Sequence, residues 1–339
     1  MEFGLFDHMD RGSASLAEDY EHRLLLAEAG EALGFTRFHV TEHHGTPLSV
    51  APSPGLFLSA MAQRTRKLRF GPLVYTLPLY NPLRLAEEIA MLDQMSGGRL
   101  ELGVGRGVSP HEVAFHGLDP AETQQRYEEA LRLILLALRS AGEEISFDGR
   151  FYGAHAVPII LSPVQQPHPP LWYGVAKPDA VPWLAVNQFN IVSSNGPTAM
   201  RRITDSYRAH WAGDAPLPRM GMNRHTVVAE TDAEAMAIAR RAYAAWHRSF
   251  AFIWNRKGGA PHTMMFPDDF DSLLAQGKAF CGSPATVRGQ VAAQTAESGC
   301  NYVLARFAFG DMRREESLAS QRLFGREVMA EFADLPVSA

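Results

Sequence analysis

Only two cysteines, Cys281 and Cys300, occur among 339 residues. They are too few and too far apart for a disulfide framework or a thiolate metal site, which points to a reducing compartment. Neither sign of charge dominates. Interspersed Lys and Arg (32) and Asp and Glu (37) leave a net charge of -5 without a basic stripe, which speaks against a nucleic-acid partner. No segment offers the ~18 apolar residues of a membrane span, and the opening "MEFGLFDHMDRGSAS" carries acids where a secretory peptide needs bases. The expectation is therefore a cytoplasmic protein with no membrane association. Two motifs are also missing. "GVGRG" is not the G-x-G-x-x-G of a dinucleotide-binding turn, and no G-x-S-x-G elbow presents a serine nucleophile.

An apolar fraction of 46% against 20% charged residues is that of an ordinary globular chain able to bury a substantial core. Short apolar runs alternate with amphipathic stretches. "EFGLFDH" reads as a buried strand. Ser15 and Glu18 then fit a capping box before a helical stripe of Leu16, Tyr20, Leu24 and Ala27 that stops at Gly34. "TRFHVTE", "LRFGPLVYTLP" and "RLELGVGRG" continue the strands, and Asn81 followed by Pro82 opens the third helix. A proline-rich excursion from about Gly142 to Pro170 follows the fourth unit. "PLWYGVA", "NIVSS", "RHTVVAE" and "NYVLARFAFG" complete eight strands, each with its helix.

Eight strand–helix units without tight hairpins predict one (β/α)8 TIM-barrel domain over residues 1–339, with a doubly wound open sheet as the alternative. A segment rich in glycine, proline and methionine at 255–282, including Met264 and Met265, reads as a lid-like insertion before strand eight.

A parallel barrel does its chemistry beyond the carboxyl ends of its strands. That rule collects Asp7, His8, Glu42, His43, His44, Tyr75, Leu77, Arg106, Lys177, Ser193, Ser194, Asn195 and Phe309. Basic groups outnumber acids there, which suits an anionic ligand better than a divalent cation, and no metal site is expected. "HEVAFH" at 111–116 spaces its histidines five apart, about 140° around a helix, so it is not a zinc motif. His43 has two readings, a hydrogen-bonded structural residue or a catalyst. Arg106, at the end of a buried strand, needs an anion or carboxylate, and Lys177 is either a ligand contact or a solvated rim residue.

"TEHHG" together with "GPLVYTLPLYNPLRLAEEIAMLDQMSGGRLELGVGRG" closely resembles the bacterial luciferase-like flavin monooxygenases, and the likeness runs on through "PPLWYGVAKPDA" to "GCNYVLARFAFG". The resemblance implies a (β/α)8 barrel binding reduced flavin mononucleotide (FMN) from a separate flavin reductase. The flavin would react with O2 to give a C4a-peroxyflavin that oxygenates a small apolar aldehyde- or ketone-like substrate. It also implies a homodimer. His43 matches the family's catalytic histidine and Arg106 its flavin-phosphate arginine. Leu73–Val74 falls where the family has a non-prolyl cis peptide against the ring. Val175, Ala176 and Lys177 match a segment near the phosphate, and Ser193 a residue near the flavin.

The chain departs from the luciferase catalytic subunit in three places. Ala176 and Lys177 replace glutamate and serine. Gln124 replaces a second phosphate arginine, with Arg126 a possible substitute. Gly105 replaces a cysteine, which is expected to leave more room above the ring. The alternatives are an F420-dependent oxidoreductase of the same superfamily and a catalytically silent flavin-binding partner subunit. Apolar substrate contacts are expected among Phe6, Met9, Tyr75, Trp254, Met265, Phe307 and Phe309.

Overall fold

A computed structural model describes residues 1–212, 216–258 and 266–332. β1 (Glu2–Asp7) leads to α1 (Leu16–Leu33), and β2 (Arg37–Val40) to α2 (Pro54–Arg64). The third strand comes in two pieces, β3 (Arg69–Pro72) and β4 (Tyr75–Thr76), before α3 (Pro82–Ser96). β5 (Leu102–Gly105) is followed by a short α4 (Pro110–Phe115), a long α5 (Thr123–Arg139), and the antiparallel pair β6 (Glu144–Asp148) and β7 (Gly153–Pro158). Then come β8 (Leu171–Gly174), α6 (Val181–Val186), β9 (Asn190–Ser193), α7 (Pro197–His210), β10 (Met220–Val228) and α8 (Asp232–Lys257). α9 (Phe270–Ala275), β11 (Ala279–Gly282), α10 (Pro284–Ser298), β12 (Tyr302–Arg306) and α11 (Arg314–Leu323) follow.

Local chemistry sets the helix starts. The Ser15–Glu18 capping box is closed in both directions, and the Asn81 side chain accepts from the Arg84 amide with Pro82 in the first turn. The strands pair in parallel in the order β3-β2-β1-β12-β10-β9-β8-β5-β4. β4, the second piece of the third strand, pairs with β5 at Tyr75–Val104 and Thr76–Gly105, and a further parallel bridge, Phe70 to Leu100, ties β3 to the chain just before β5, closing the sheet into the expected (β/α)8 TIM barrel. Two amide bonds make that bridge, Phe70 N to Arg99 O at 3.1 Å and Glu101 N to Phe70 O at 2.8 Å. It is tight because glycines face it. A Cβ on Gly71 would sit 1.9 Å from the Glu101 carbonyl oxygen, and one on Gly103 would sit 2.0 Å from that of Pro72.

The barrel is filled by Phe6, Leu73, Trp172, Val192, Tyr302 and Leu304, while a larger cluster packs the helices on its outside. Beneath that plug the buried Glu101 carboxylate takes Arg37 Nε at 3.0 Å, Arg69 Nε, and Trp172 Nε1 at 2.5 Å. Burial alone would raise this carboxyl, but Arg37 and Arg69 outweigh it and hold it below its usual range.

Three stretches differ from the sequence reading. The excursion after the fourth unit contains the β6–β7 hairpin, whose alternation is broken by a register shift between Ile145 and Phe147. The seventh strand starts at Met220 rather than Arg224. All nine of its residues are buried, so polar Asn223, Arg224, His225 and Thr226 sit in it without an exposed face to produce a period. In the predicted insertion 255–282, Met264 and Met265 lie outside the described residues. Beyond them Phe266 is buried, α9 follows, and β11 pairs with the far end of β10 at His225 to Val228. A four-residue strand among glycines leaves too short a pattern to read. Among the described residues no helix is long and apolar enough to cross a membrane.

Replacing Gly71 by alanine would force the β3 and β5 backbones apart. The expected loss is about 2 kcal/mol, within the overpacking range, read as a lower urea midpoint. An unchanged midpoint would mean that the seam yields freely.

Candidate active site

Parallel pairing brings the strand ends that follow β2, β3, β5, β8 and β9 side by side around one mouth. The residues singled out in sequence arrive there in barrel order: His43 after β2, Leu73 and Val74 between β3 and β4, and Arg106 after β5. Val175, Ala176 and Lys177 follow β8, and Ser193 ends β9. The Leu73–Val74 peptide is cis. Hydrogen bonds stitch the last two positions together: Val175 N donates to Val192 O at 2.8 Å, Asn195 Nδ2 to Ala176 O at 2.9 Å, and Asn195 N to Ser193 Oγ at 3.2 Å.

Two carboxylates hold the histidine pair. Glu112 on α4 sits 3.2 Å from His43 Nδ1 through Oε1 and accepts the His44 amide at 2.8 Å through Oε2. Burial would raise the Glu112 carboxyl, but His43 and the hydrogen bonds prevail and keep it below its usual range. Glu42, itself buried, meets His44 Nε2 at 2.9 Å through Oε1, and its Oε2 accepts from Tyr80 OH at 2.7 Å and the Thr76 amide at 3.2 Å. The loop after β2 is thus tied to the segment that follows the cis peptide. Burial and the Glu42 carboxylate push the Tyr80 hydroxyl well up, so it remains a donor.

Two further imidazoles are buried nearby, and the ring of one, His8, lies 6.0 Å from that of His43. His8 Nδ1 accepts from Trp246 Nε1 at 3.2 Å, and Trp246 stacks over it at a ring distance of 5.5 Å. His225 Nε2 lies 2.7 Å from Nη1 of Arg306 and accepts from it, since guanidinium has only donors. Burial, with the Arg306 charge added, holds both imidazoles well below their ordinary values and therefore neutral. Among the described imidazoles, only His43 combines a carboxylate partner with a place in the cavity lining. Arg306, lying over the Phe6 ring and fully buried, is itself brought down to about 10 by burial.

Among the described residues Arg106 and Lys177 are exposed and make no hydrogen bond or ion pair. They leave adjacent strands, because β5 pairs with β8 through Leu102–Leu171 and Gly103–Trp172. Gly174, which ends β8, is also exposed, and a Cβ there would meet nothing within 4 Å. Arg126, the possible second phosphate arginine, is not free. It pairs with Glu122 at 3.0 Å and lies over Phe151, while Gln124 bonds Glu128. The room expected at Gly105 is also taken, since a Cβ there would lie 2.6 Å from Val74 Cγ2.

A small, partly open cavity of about 40 Å³ lies beside His43, Ser109 and Glu112, with Leu48, Phe250 and Trp254 as its apolar wall. A larger hollow of about 400 Å³ lies at the opposite end of the barrel, near Glu2, Asn190, Arg219 and Asn301. Its charged pair and both asparagines are committed: Glu2 pairs with Arg219 at 2.8 Å, and Asn190 and Asn301 bond backbone. The smaller cavity is therefore the candidate site. Of the apolar residues suggested for substrate contact, Trp254 lines it and Phe309 packs on His225. Phe6 belongs to the barrel plug. Phe307 packs outside the barrel against Phe35 and Phe324, Met9 and Tyr75 are core, and Met265 lies outside the described residues.

A family model for luciferase-like monooxygenases matches residues 1–302. The chain belongs to the luciferase-like monooxygenase family. It is 39% identical over 333 residues to an uncharacterized protein, y4wF, of Sinorhizobium fredii, covering 97% of this chain and 96% of that one. The oxygenase component of the flavin-dependent trigonelline monooxygenase of Acinetobacter baylyi is 27% identical over 248 residues, 70% of this chain and 68% of that one. Among solved structures, the oxygenating constituent of 3,6-diketocamphane monooxygenase from Pseudomonas putida, a type II Baeyer–Villiger monooxygenase in complex with FMN, superposes with a TM-score of 0.82. At 22% identity over 98% of both chains, that superposition speaks for the barrel alone.

Sequence reasoning passed over Glu112, His225, Trp246 and Arg306. Glu112 stood in view as the fourth residue of "SPHE", a capping-box spelling. Its amide does bond Ser109 Oγ at 3.3 Å, but its side chain goes to the histidines instead.

Asp10, in the loop after β1, accepts the Gly310 amide at 2.6 Å through Oδ2, while its buried Oδ1 has no hydrogen bond. Burial pushes this carboxyl up to about 7. A folded value above the unfolded one stabilises fully below about pH 4 and loses that contribution as pH rises through 7. Between pH 5 and pH 8, Asp10→Asn should therefore lose less stability than the native protein in urea titrations. Parallel losses would remove Asp10 as the cause.

Proposed function

We propose that this protein is the oxygenase of a two-component system that uses reduced FMN and O2 to oxygenate a small apolar aldehyde- or ketone-like compound. The observation that carries the proposal is the mouth itself. Two cations without counter-ions among the described residues follow neighbouring strands, and on the same rim an imidazole backed by a carboxylate lines a cavity.

The residues present fit FMN. A phosphate carrying nearly two negative charges suits Arg106 and Lys177, with the exposed Gly174 at the end of β8. Ser193 and the backbone of Val175 and Ala176 would complete that end, and Leu73 and Val74 would take the ring. Reduced FMN, delivered by a separate reductase, would supply the electrons that activate dioxygen. His43 holds or accepts a proton at Nε2, the nitrogen left free by Glu112. Leu48, Phe250 and Trp254 exclude water and favour an apolar substrate. The name of the Acinetobacter baylyi relative, an oxygenase component, supports a partner reductase.

Anaerobic protein loaded with reduced FMN, mixed with 18O2 and a panel of aldehydes and ketones, is expected to yield a product carrying one labelled oxygen. Arg106→Ala should weaken reduced-FMN binding by roughly 10-fold or more, the scale of a charge-assisted hydrogen bond. Oxidation of reduced F420 without any oxygen-dependent turnover of reduced FMN would overturn the proposal, and so would flavin binding without product.

A further inference from the structure

We propose that Glu112 is a positioning residue that fixes the proton of His43 on Nδ1 and so presents a bare Nε2 to the cavity. This rests on the reading of His43 as the site's proton-handling group.

The geometry first shows a residue withdrawn from its local task. At α1, Glu18 reaches back to the Ser15 amide at 2.9 Å and closes the capping box. At α4 the same spelling occurs, and Ser109 caps the Glu112 amide, but no reciprocal bond returns from the Glu112 side chain. Both its oxygens instead reach across to residues 68 and 69 positions earlier, the His44 amide and the His43 ring. Giving up half of a capping box forgoes stabilisation of a six-residue helix. A purely structural tether for the loop would need only the His44 amide. The second oxygen, on His43 Nδ1, adds a constraint on the ring.

An ionised carboxylate only accepts hydrogen bonds, so the nitrogen facing it must carry the proton. The ring then has one tautomer and one orientation, with Nε2 as the free acceptor. The same logic makes His8 and His225 unsuitable for the task, because each already spends a bare nitrogen on a buried donor, Trp246 Nε1 or Arg306 Nη1. α4 is itself anchored: His111 Nε2 meets Gly258 O at 3.2 Å, the His111 ring packs on Trp254, and Lys257 lies over Phe115. The carboxylate is thus held from the end of α8 while it holds the ring.

The test reads the proton directly. 15N NMR of histidine-labelled protein should show His43 as the Nδ1–H tautomer. Glu112→Ala should release it to the tautomer mixture of a free imidazole, and Glu112→Gln, whose amide oxygen still accepts, should restore Nδ1–H. With the proposed reaction, Glu112→Ala should lower kcat by about 100-fold with KM little changed, as when a base loses its orienting partner, and Glu112→Gln should recover part of it. An unchanged His43 tautomer in folded Glu112→Ala would overturn the inference. So would an Nε2–H ring in the native protein. If the tautomer responds as stated while no oxygen-dependent turnover is found in any form, the positioning role stands and the functional reading falls.

Discussion

Gly71 and Gly103 let the β3 and β5 backbones approach until a side-chain carbon on either would overlap a carbonyl oxygen across the seam. The bridge from Phe70 to Leu100 and the pairing of β4 with β5 close the sheet there. Without this close approach only the Tyr75–Val104 and Thr76–Gly105 pairing of β4 with β5 would hold the seam, and β3 would lose its fixed distance from β5. With it, His43, the Leu73–Val74 turn, Arg106 and Lys177 come round one rim, because parallel strands release their chains at the same end.

Closure also creates an interior where charge must be balanced by geometry. Glu101 is held ionised by two arginines below the apolar plug, whereas above it His8 and His225 are held neutral by burial and by the donors they accept. The mouth therefore separates its basic groups by function. Buried imidazoles serve as fixed acceptors for Trp246 and Arg306, the cations after β5 and β8 are exposed and unpaired among the described residues, and His43 has the Glu112 carboxylate at its Nδ1. The proposed reaction would handle a proton beside an anionic cofactor away from water, and this partition suits it.

Where the local pattern was strong, the sequence was legible. Ser15 with Glu18 and Asn81 with Pro82 announced helices that begin there, and short apolar runs marked the barrel strands. Legibility failed where burial erased the period, as in β10 with its polar Asn223 to Thr226, or where an element was too short to carry one, as in β11. At the site, His43 and Arg106 could be listed from strand ends, but Arg126 could not be known to be spent on Glu122, nor the space at Gly105 to be filled by Val74.

The chain's own pattern determined the alternation of strands and helices, the parallel sheet, and the set of side chains delivered to the strand ends. These follow from hydrophobic period and capping, which act over a few residues. Tertiary structure alone decided which imidazole keeps a free nitrogen, which cations stay unpaired, and that Glu112 abandons its helix cap for a histidine 69 residues away. Such choices depend on distances between segments remote in sequence, and no local preference encodes them.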